Sequence, residues 1–489
     1  MGKWRLRQML GQMLAHPGYY FGREVVPLGQ AMGVVPAERR WRAGESLAEF
    51  LARLSLATFD QGRGFLVEKP RLGELLVGLR AWAEADQASA YVRPEGGVPA
   101  LIGPRTRLAP LLLELRRAAL FSIWASGPSG AHRLRVEALR SPRHHFRNAA
   151  RRALARDIPK ASSERLFADY ERRWADSTMN FTAPVDVVFT WVDSDDPRFR
   201  AAWNDHAGGR ILDPDRYKDS GELRFALRSV FYNLPWVRQV FVVSNCSAPA
   251  WLNEEKIRFV SHEEILPAHA LPTFNSHVIE SALHRIPGLA EHFVYLNDDM
   301  FINEVCDAGQ FFTSEGRSRS FLESFGSVDA YEPETIAADM TWQHAARNGA
   351  TLLRERFGRR PGQHHKHVPY ALRRSVLEDM CREFEHAFRR LEEQRFRSEW
   401  DLSPTSFLYH HYALGRGDAE QGHCRETHVQ RKNYRALSRR VESGRGGDFF
   451  CLNDGSSGSD RRRFDAFKQR VMGRLFPLPA PWEHAGRRS

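Results

Sequence analysis

Between residues 185 and 297 short apolar runs alternate with amphipathic stretches, and this alternation constrains the fold more than any other feature of the chain. VDVVFTWV at 185–192 is a β-branched and aromatic run of the length of a buried strand. GELRFALRSVFYNL at 221–234 then reads as a helix, PWVRQVFVVSN at 235–245 as a strand, SHVIESALHRI at 276–286 as a helix and HFVYLN at 292–297 as a strand. Strands that alternate with helices predict an α/β domain built on a mostly parallel, Rossmann-like sheet.

Around this stretch the texture changes. Residues 1–180 are expected to be a mainly helical region of unknown role, because Leu and Ala recur at three- and four-residue spacing in 45–59 and 107–124. The Arg- and His-rich stretch 132–157 reads as a charged helix pair, and a linker is expected near 175–184. The core domain is expected over 181–460, with 300–360, poor in apolar strands, as a substrate-side insertion. Residues 461–489 read as a polar tail with a short helix.

Composition narrows the class. The 489 residues are 42% hydrophobic and 27% charged, which is the make-up of an ordinary folded protein. The net charge of +11 is carried mostly by Arg, whose forked guanidinium suits anionic partners. Nucleic acid is set aside, because no basic motif interleaved with aromatics occurs; a contact with an anionic inner membrane face stays open. The five cysteines are odd in number and form no CxxC pair, which excludes a zinc ribbon or a disulfide framework. The first residues lack an apolar signal core, and no run is long enough to span a bilayer, so a cytoplasmic protein is expected.

Ligands of open α/β sheets bind beyond the carboxyl ends of the strands. There this chain places Asp193 after the first run, Asn245 after the second, and Asn297, Asp298 and Asp299 after the third. Asn and Asp are common turn formers, but adjacent carboxylates also suit a hard divalent cation such as Mg²⁺, or supply a base. Asp219 and Glu222 flank the start of the next helix, where Arg224 and Arg228, four apart, read either as surface arginines or as a phosphate clamp. HHKHVPYALRR at 364–374 lacks Cys or Asp partners at metal-ligand spacing, so one catalytic histidine is expected there rather than a metal site. His410 and His411 read as core packing.

VDVVFTWVDSDDPRF, DSGELRFALRSVFYNLPWVRQVFVVSN, LPTFNSHVIESALHRIPGLAEHFVYLNDDMF, KHVPYALRR and CLNDG follow one another in an order that resembles the conserved regions of the Stealth family. That family contains bacterial capsule polysaccharide phosphotransferases and the animal lysosomal-enzyme N-acetylglucosamine-1-phosphotransferase α/β subunit. The resemblance implies a GT-A-like nucleotide-sugar-binding core over 181–460 and transfer of a hexose-1-phosphate from a UDP-sugar, commonly UDP-N-acetylglucosamine, to a glycan hydroxyl. A phosphodiester would form and UMP would leave, with Mg²⁺ or Mn²⁺ as cofactor; the alternatives are ordinary glycosyl transfer, releasing UDP, and, in another class, a non-catalytic protein that binds an anionic polymer. Glu280, Asp299, His367 and Arg397 fall where the family has residues implicated in activity. Asp298 and Asp299 are then expected as metal ligands or base, His367 as general base or phosphate contact, and Arg397, Arg224 and Arg228 as clamps on developing charge. Asp193, Asn245 and Asn297 would line the nucleotide end beside Asp219 and Glu222, and Asn453 and Asp454 would close the site. The animal enzyme's large insertions are absent, so recognition of lysosomal proteins is not implied.

Overall fold

A computed structural model describes residues 40–142, 144–148, 150, 157–175, 181–331, 336, 340–454 and 461–484. Residues 1–39 and half of the expected linker lie outside these residues, as do parts of the 132–157 and 300–360 segments and residues 455–460. The chain divides into two compact units, Met1–Asp176 and Ser177–Ser489.

The first unit departs from the expected helical region, since it is a sheet with helices. Six strands lie in the order β1-β2-β6-β5-β3-β4: β1 (Ala57–Phe59), β2 (Gly64–Glu68), β3 (Ser89–Pro94), β4 (Ala100–Leu101), β5 (Leu120–Gly127) and β6 (Gly130–Leu139). The helix expected over 107–124 stops at Ala118, because Ala119 turns left-handed at φ 60° and the apolar run behind it becomes β5. The helix expected at 45–59 runs only from Leu47 to Leu54, closed at its start by a capping box between Ser46 and Glu49, and then gives way to β1. The expected charged helix pair is instead β6 and a small hairpin of β7 (His145–Arg147) and β8 (Asp157–Pro159). In β6 the basic and acidic residues Arg133, Arg135 and Glu137 alternate with Leu134, Val136 and Ala138, a period of two that belongs to a strand.

In the second unit the expected alternation is found. The central five-stranded sheet has the order β11-β10-β9-β12-β15, with β9 (Val185–Thr190), β10 (Val237–Val243), β11 (Arg258–Val260), β12 (His292–Asn297) and β15 (Tyr370–Arg373). The first four are parallel and β15 is antiparallel to β12. Counted in order of appearance this is 3-2-1-4, the arrangement of a dinucleotide-binding half-sheet. The strand order reverses between β9 and β12, so the crevice for a ligand opens beyond Thr190 and Asn297.

Among the described residues two further short sheets complete the unit. β13 (Met300–Ile302) pairs with β18 (Phe449–Asn453), which pairs with β17 (Glu426–Gln430). β14 (Ser318–Ser320) pairs with β16 (Ala419–Gln421). The stretch 300–360 is therefore woven into the unit through β13 and β14, and its helix Thr341–Phe357 buries Ala345, Ala346, Gly349, Ala350 and Leu353. Nor are residues 461–484 a tail. Helix Arg461–Leu475 buries Phe464, Phe467, Val471, Met472 and Leu475, and Trp482 packs edge-on against Phe231.

Candidate active site

The site grows out of the reversal point between β9 and β12. Asn297 Oδ1 accepts a hydrogen bond from Tyr295 Oη at 2.8 Å, and the same hydroxyl lies 2.8 Å from Thr190 Oγ1, which ties the two strand ends together. Asp193 Oδ1 accepts from the Asp195 N–H and so forms the turn after β9. Asn245, beyond β10, has a buried Oδ1 without a partner among the described residues, as an acceptor reserved for a ligand would have.

Asp298 and Asp299 are neighbours in sequence with opposite environments. Burial pushes the Asp298 carboxyl well above its usual range, and the charges of Asp299, Asp219 and Glu222 push it the same way. Asp219 is raised to about 7, first by burial and then by Glu222. Its Oδ1 accepts from the N–H groups of Gly221 (φ 90°) and Glu222, so it also caps the helix Glu222–Asn233. One cation meets these acids: Lys468, fully buried, donates at 2.6 Å to Glu222 Oε1 and at 2.6 Å to Asp454 Oδ2. Asp454 Oδ1 is buried and unpartnered.

Asp299 faces the other way. β18 runs beside β13 in the register Met300↔Cys451, which brings Cys451 Sγ to 3.2 Å and Asn453 Nδ2 to 3.1 Å from Asp299 Oδ2. The remaining oxygen, Oδ1, lies 3.6 Å from His367 Nε2. Burial works against both charges, yet the pair outweighs it: His367, helped by Cys451 and Asn453, holds Asp299 far below the usual carboxylate range, while Asp299, and more weakly Glu280, raises His367. His367 Nδ1 lies 3.3 Å from the Tyr370 hydroxyl at the start of β15, which orients the ring.

Glu280 and Arg397 complete the group. Glu280 Oε2 accepts from Thr405 Oγ1 at 2.6 Å. Arg397 donates to Ser276 Oγ at 2.5 Å; burial lowers its pKa, and Glu280 is its strongest opposing neighbour. The loop carrying Arg397 is pinned by buried Asp401, which accepts from Asn275 Nδ2 at 3.0 Å and contacts His277 Nδ1 at 3.0 Å. The fold thus brings together Glu280, Asp299, His367 and Arg397, and beside them Asp298, Asp219, Glu222, Asn453 and Asp454.

Arg224 and Arg228 are a correction. The helix face they share turns toward the carboxyl-terminal segment, where both close on Glu483: Arg224 Nε at 2.5 Å, Arg228 Nε at 2.6 Å and Nη2 at 2.7 Å. They fasten that segment and are not placed to clamp a phosphate. His410 is a core group as expected, and His365 is one as well: its Nδ1 lies 2.7 Å from the Lys366 carbonyl, its Nε2 accepts from the Phe321 N–H, and its ring stacks on His410 at 3.8 Å. Sequence spacing missed Lys468 and Cys451. The one signal available was that Cys451 directly precedes Leu452, Asn453 and Asp454 in the CLND stretch already singled out.

Comparison with known proteins bears on this site directly. Residues 216–320 match Stealth protein conserved region 2 and residues 366–414 match conserved region 3. The first holds Asp219, Glu222, Glu280, Asp298 and Asp299, and the second His367 and Arg397. An exopolysaccharide phosphotransferase of Streptomyces coelicolor is 40% identical over 319 residues, 62% of this chain and 53% of the relative. The exopolysaccharide phosphotransferase CpsY of Mycobacterium tuberculosis is 40% identical over 316 residues, 61% of this chain and 58% of the relative. The capsular polysaccharide phosphotransferase SacB of Neisseria meningitidis serogroup A is 35% identical over 312 residues, 61% of this chain and 57% of the relative. The chain therefore spans between half and three-fifths of the length of these relatives. A galactosyltransferase, LgtC, overlaps 61% of the chain at a TM-score of 0.30 and 12% identity, too slight a likeness to carry weight beside the strand order itself. On the elements that build the site, the chain thus carries two regions that match conserved regions of the Stealth family.

Proposed function

We propose that this protein transfers a hexose-1-phosphate from a UDP-sugar to a glycan hydroxyl in the synthesis of a cell-surface polysaccharide, forming a phosphodiester and releasing UMP. The observation that carries the reading is the convergence of Glu280, Asp299, His367 and Arg397 at the strand-order reversal, in a chain whose relatives are named polysaccharide phosphotransferases. Family resemblance favours N-acetylglucosamine-1-phosphate as the transferred group. Such a reaction needs a base for the hydroxyl and cationic groups on the phosphoryl oxygens. His367, with its basicity raised by Asp299, takes the hydroxyl proton on its unpartnered Nε2, and Arg397 faces the charge that develops on the phosphoryl group. Glu280, within electrostatic range of both, steadies the protonated His367 and the Arg397 guanidinium. Asp193, Asn245 and Asn297 line the nucleotide end, and Asn453 and Asp454 close the site.

A divalent cation fits the donors present. Asp298 is buried among Asp299, Asp219 and Glu222, like charges that a hard cation reconciles. Asp298 and Asp299 would hold Mg²⁺ or Mn²⁺, which supplies charge neutralisation on the donor's phosphates. Among the described residues no helix is long and apolar enough to cross a membrane; we place the reaction in the cytoplasm, at or near the inner membrane face. The test is to incubate the protein with a panel of UDP-sugars, Mg²⁺ and glycan acceptors. UMP release with a new phosphodiester is expected, whereas UDP release with a new glycosidic bond would make the protein an ordinary glycosyltransferase.

A further inference from the structure

We propose that Asp299, His367 and Cys451 form a site for a thiophilic divalent cation of the Zn²⁺ type, which shares Asp299 with the carboxylate site for Mg²⁺ and differs from it in the nitrogen and sulfur donors. One ligand atom from each of the three lies within 4.8 Å of the other two. Asp299 Oδ1 and His367 Nε2 are both buried and without a hydrogen-bond partner among the described residues, and they face each other across 3.6 Å. That gap is too long for a hydrogen bond. It matches the separation of two ligands on a tetrahedral zinc ion, about 3.3–3.6 Å for bonds of about 2.0–2.2 Å. Cys451 is buried, and its Sγ is already turned to the Asp299 carboxylate at 3.2 Å.

The surroundings complete the picture. The second nitrogen of His367 lies 3.3 Å from the Tyr370 hydroxyl, the outer partner that fixes a ligating imidazole. A mixed N, O and S donor set favours zinc over magnesium, which prefers oxygen alone. Three protein ligands leave a fourth position open to water or a phosphate oxygen. On binding, the proton of the Cys451 thiol and any proton on His367 Nε2 are released to solvent as the S–Zn and N–Zn bonds form.

The consequence rests on the function proposed above: zinc held here takes Asp299 from the magnesium site and His367 from proton transfer, so it inhibits. The binding itself is tested without turnover. Titrating the metal-free full chain with Co²⁺ should give a thiolate-to-cobalt charge-transfer band at one equivalent, displaced by Zn²⁺. Cys451→Ser should lose the band, and His367→Ala should bind Co²⁺ at least tenfold more weakly. Circular dichroism of each variant reads whether its fold is intact. A wild-type chain without the band, or a band that survives in Cys451→Ser, overturns the site. In the transfer assay, one equivalent of Zn²⁺ should then suppress UMP release despite excess Mg²⁺, and undiminished release overturns the inhibition. A chain that shows the cobalt band but transfers nothing with any donor breaks the function while leaving the metal site standing.

Discussion

Two acid–base clusters lie within the same unit, and their difference separates scaffold from chemistry. Around Glu483 each carboxylate oxygen is met by charged donors: Oε1 accepts from Arg228 and the Ala480 N–H, Oε2 from Arg224 and Arg228. Arg228 spends a further N–H on the Phe476 carbonyl. Around Asp299 one oxygen is held by Cys451 and Asn453, while the other and His367 Nε2 are left without a hydrogen bond. Burying polar atoms unsatisfied is costly, and here two of them face each other across one gap. The closed cluster is satisfied within the fold, and the open one has room for a ligand under the function proposed above.

The comparison breaks most sharply on activity. Asp299→Ala or His367→Ala should lower kcat/KM for transfer by about 10²–10⁴-fold with little change in melting temperature; a melting transition lowered as far as activity would make the open cluster structural as well. Next in size is Glu483→Ala, which leaves two arginines facing an emptied pocket. It should cost about 3–5 kcal/mol in denaturant unfolding, while the protein that remains folded keeps its KM for the donor; a normal stability would show that the closed cluster is not a fastener.

Smaller effects sharpen the contrast through pH. If neutral His367 is the base, kcat/KM rises as pH climbs through its pKa, which Asp299 holds above the ordinary value of about 6.5. In Asp299→Asn the residual activity should therefore have its acid limb shifted to lower pH. An unmoved limb assigns it to another group. Smallest is Asp219→Asn, which keeps the cap but removes a carboxylate raised to about 7. A raised carboxylate favours the fold fully below the unfolded value near 3.9 and loses that contribution as pH rises through about 7. With EDTA present, Asp219→Asn should gain about 1 kcal/mol at pH 8, allowing for its partial exposure, and nothing at pH 4. Equal effects at both pH values would show that Asp219 acts only as a cap.

What could be read from the sequence follows the range of the interaction involved. β12 falls on the expected residues 292–297, because a short β-branched and aromatic run between turn formers is a local signal. Asp298, Asp299 and Asn245 were visible as strand-end residues for the same reason. Glu280, His367 and Arg397 came from resemblance, since no local pattern marks a lone Glu on a helix or an Arg in a loop. The partners of Arg224 and Arg228 lie more than 250 residues along the chain, and that of Glu222 is 246 residues away, so helical spacing showed a shared face without showing what it faces. In the first unit, β5 hid behind its helix because the turn between them is made by Ala119, an alanine where a left-handed residue is usually glycine.

The pairing of β13 with β18 also sets when the protein can work. As the chain leaves the ribosome, the strands ending in Asp298 and Asp299 are made long before Cys451, Asn453 and Lys468, so the carboxylates wait for the groups that organise them. The parallel half-sheet can assemble early, whereas the cluster around Asp299 is complete only when β18 and the helix Arg461–Leu475 dock. A nascent chain therefore holds the crevice before it holds the groups around Asp299, and these later elements act as its ignition.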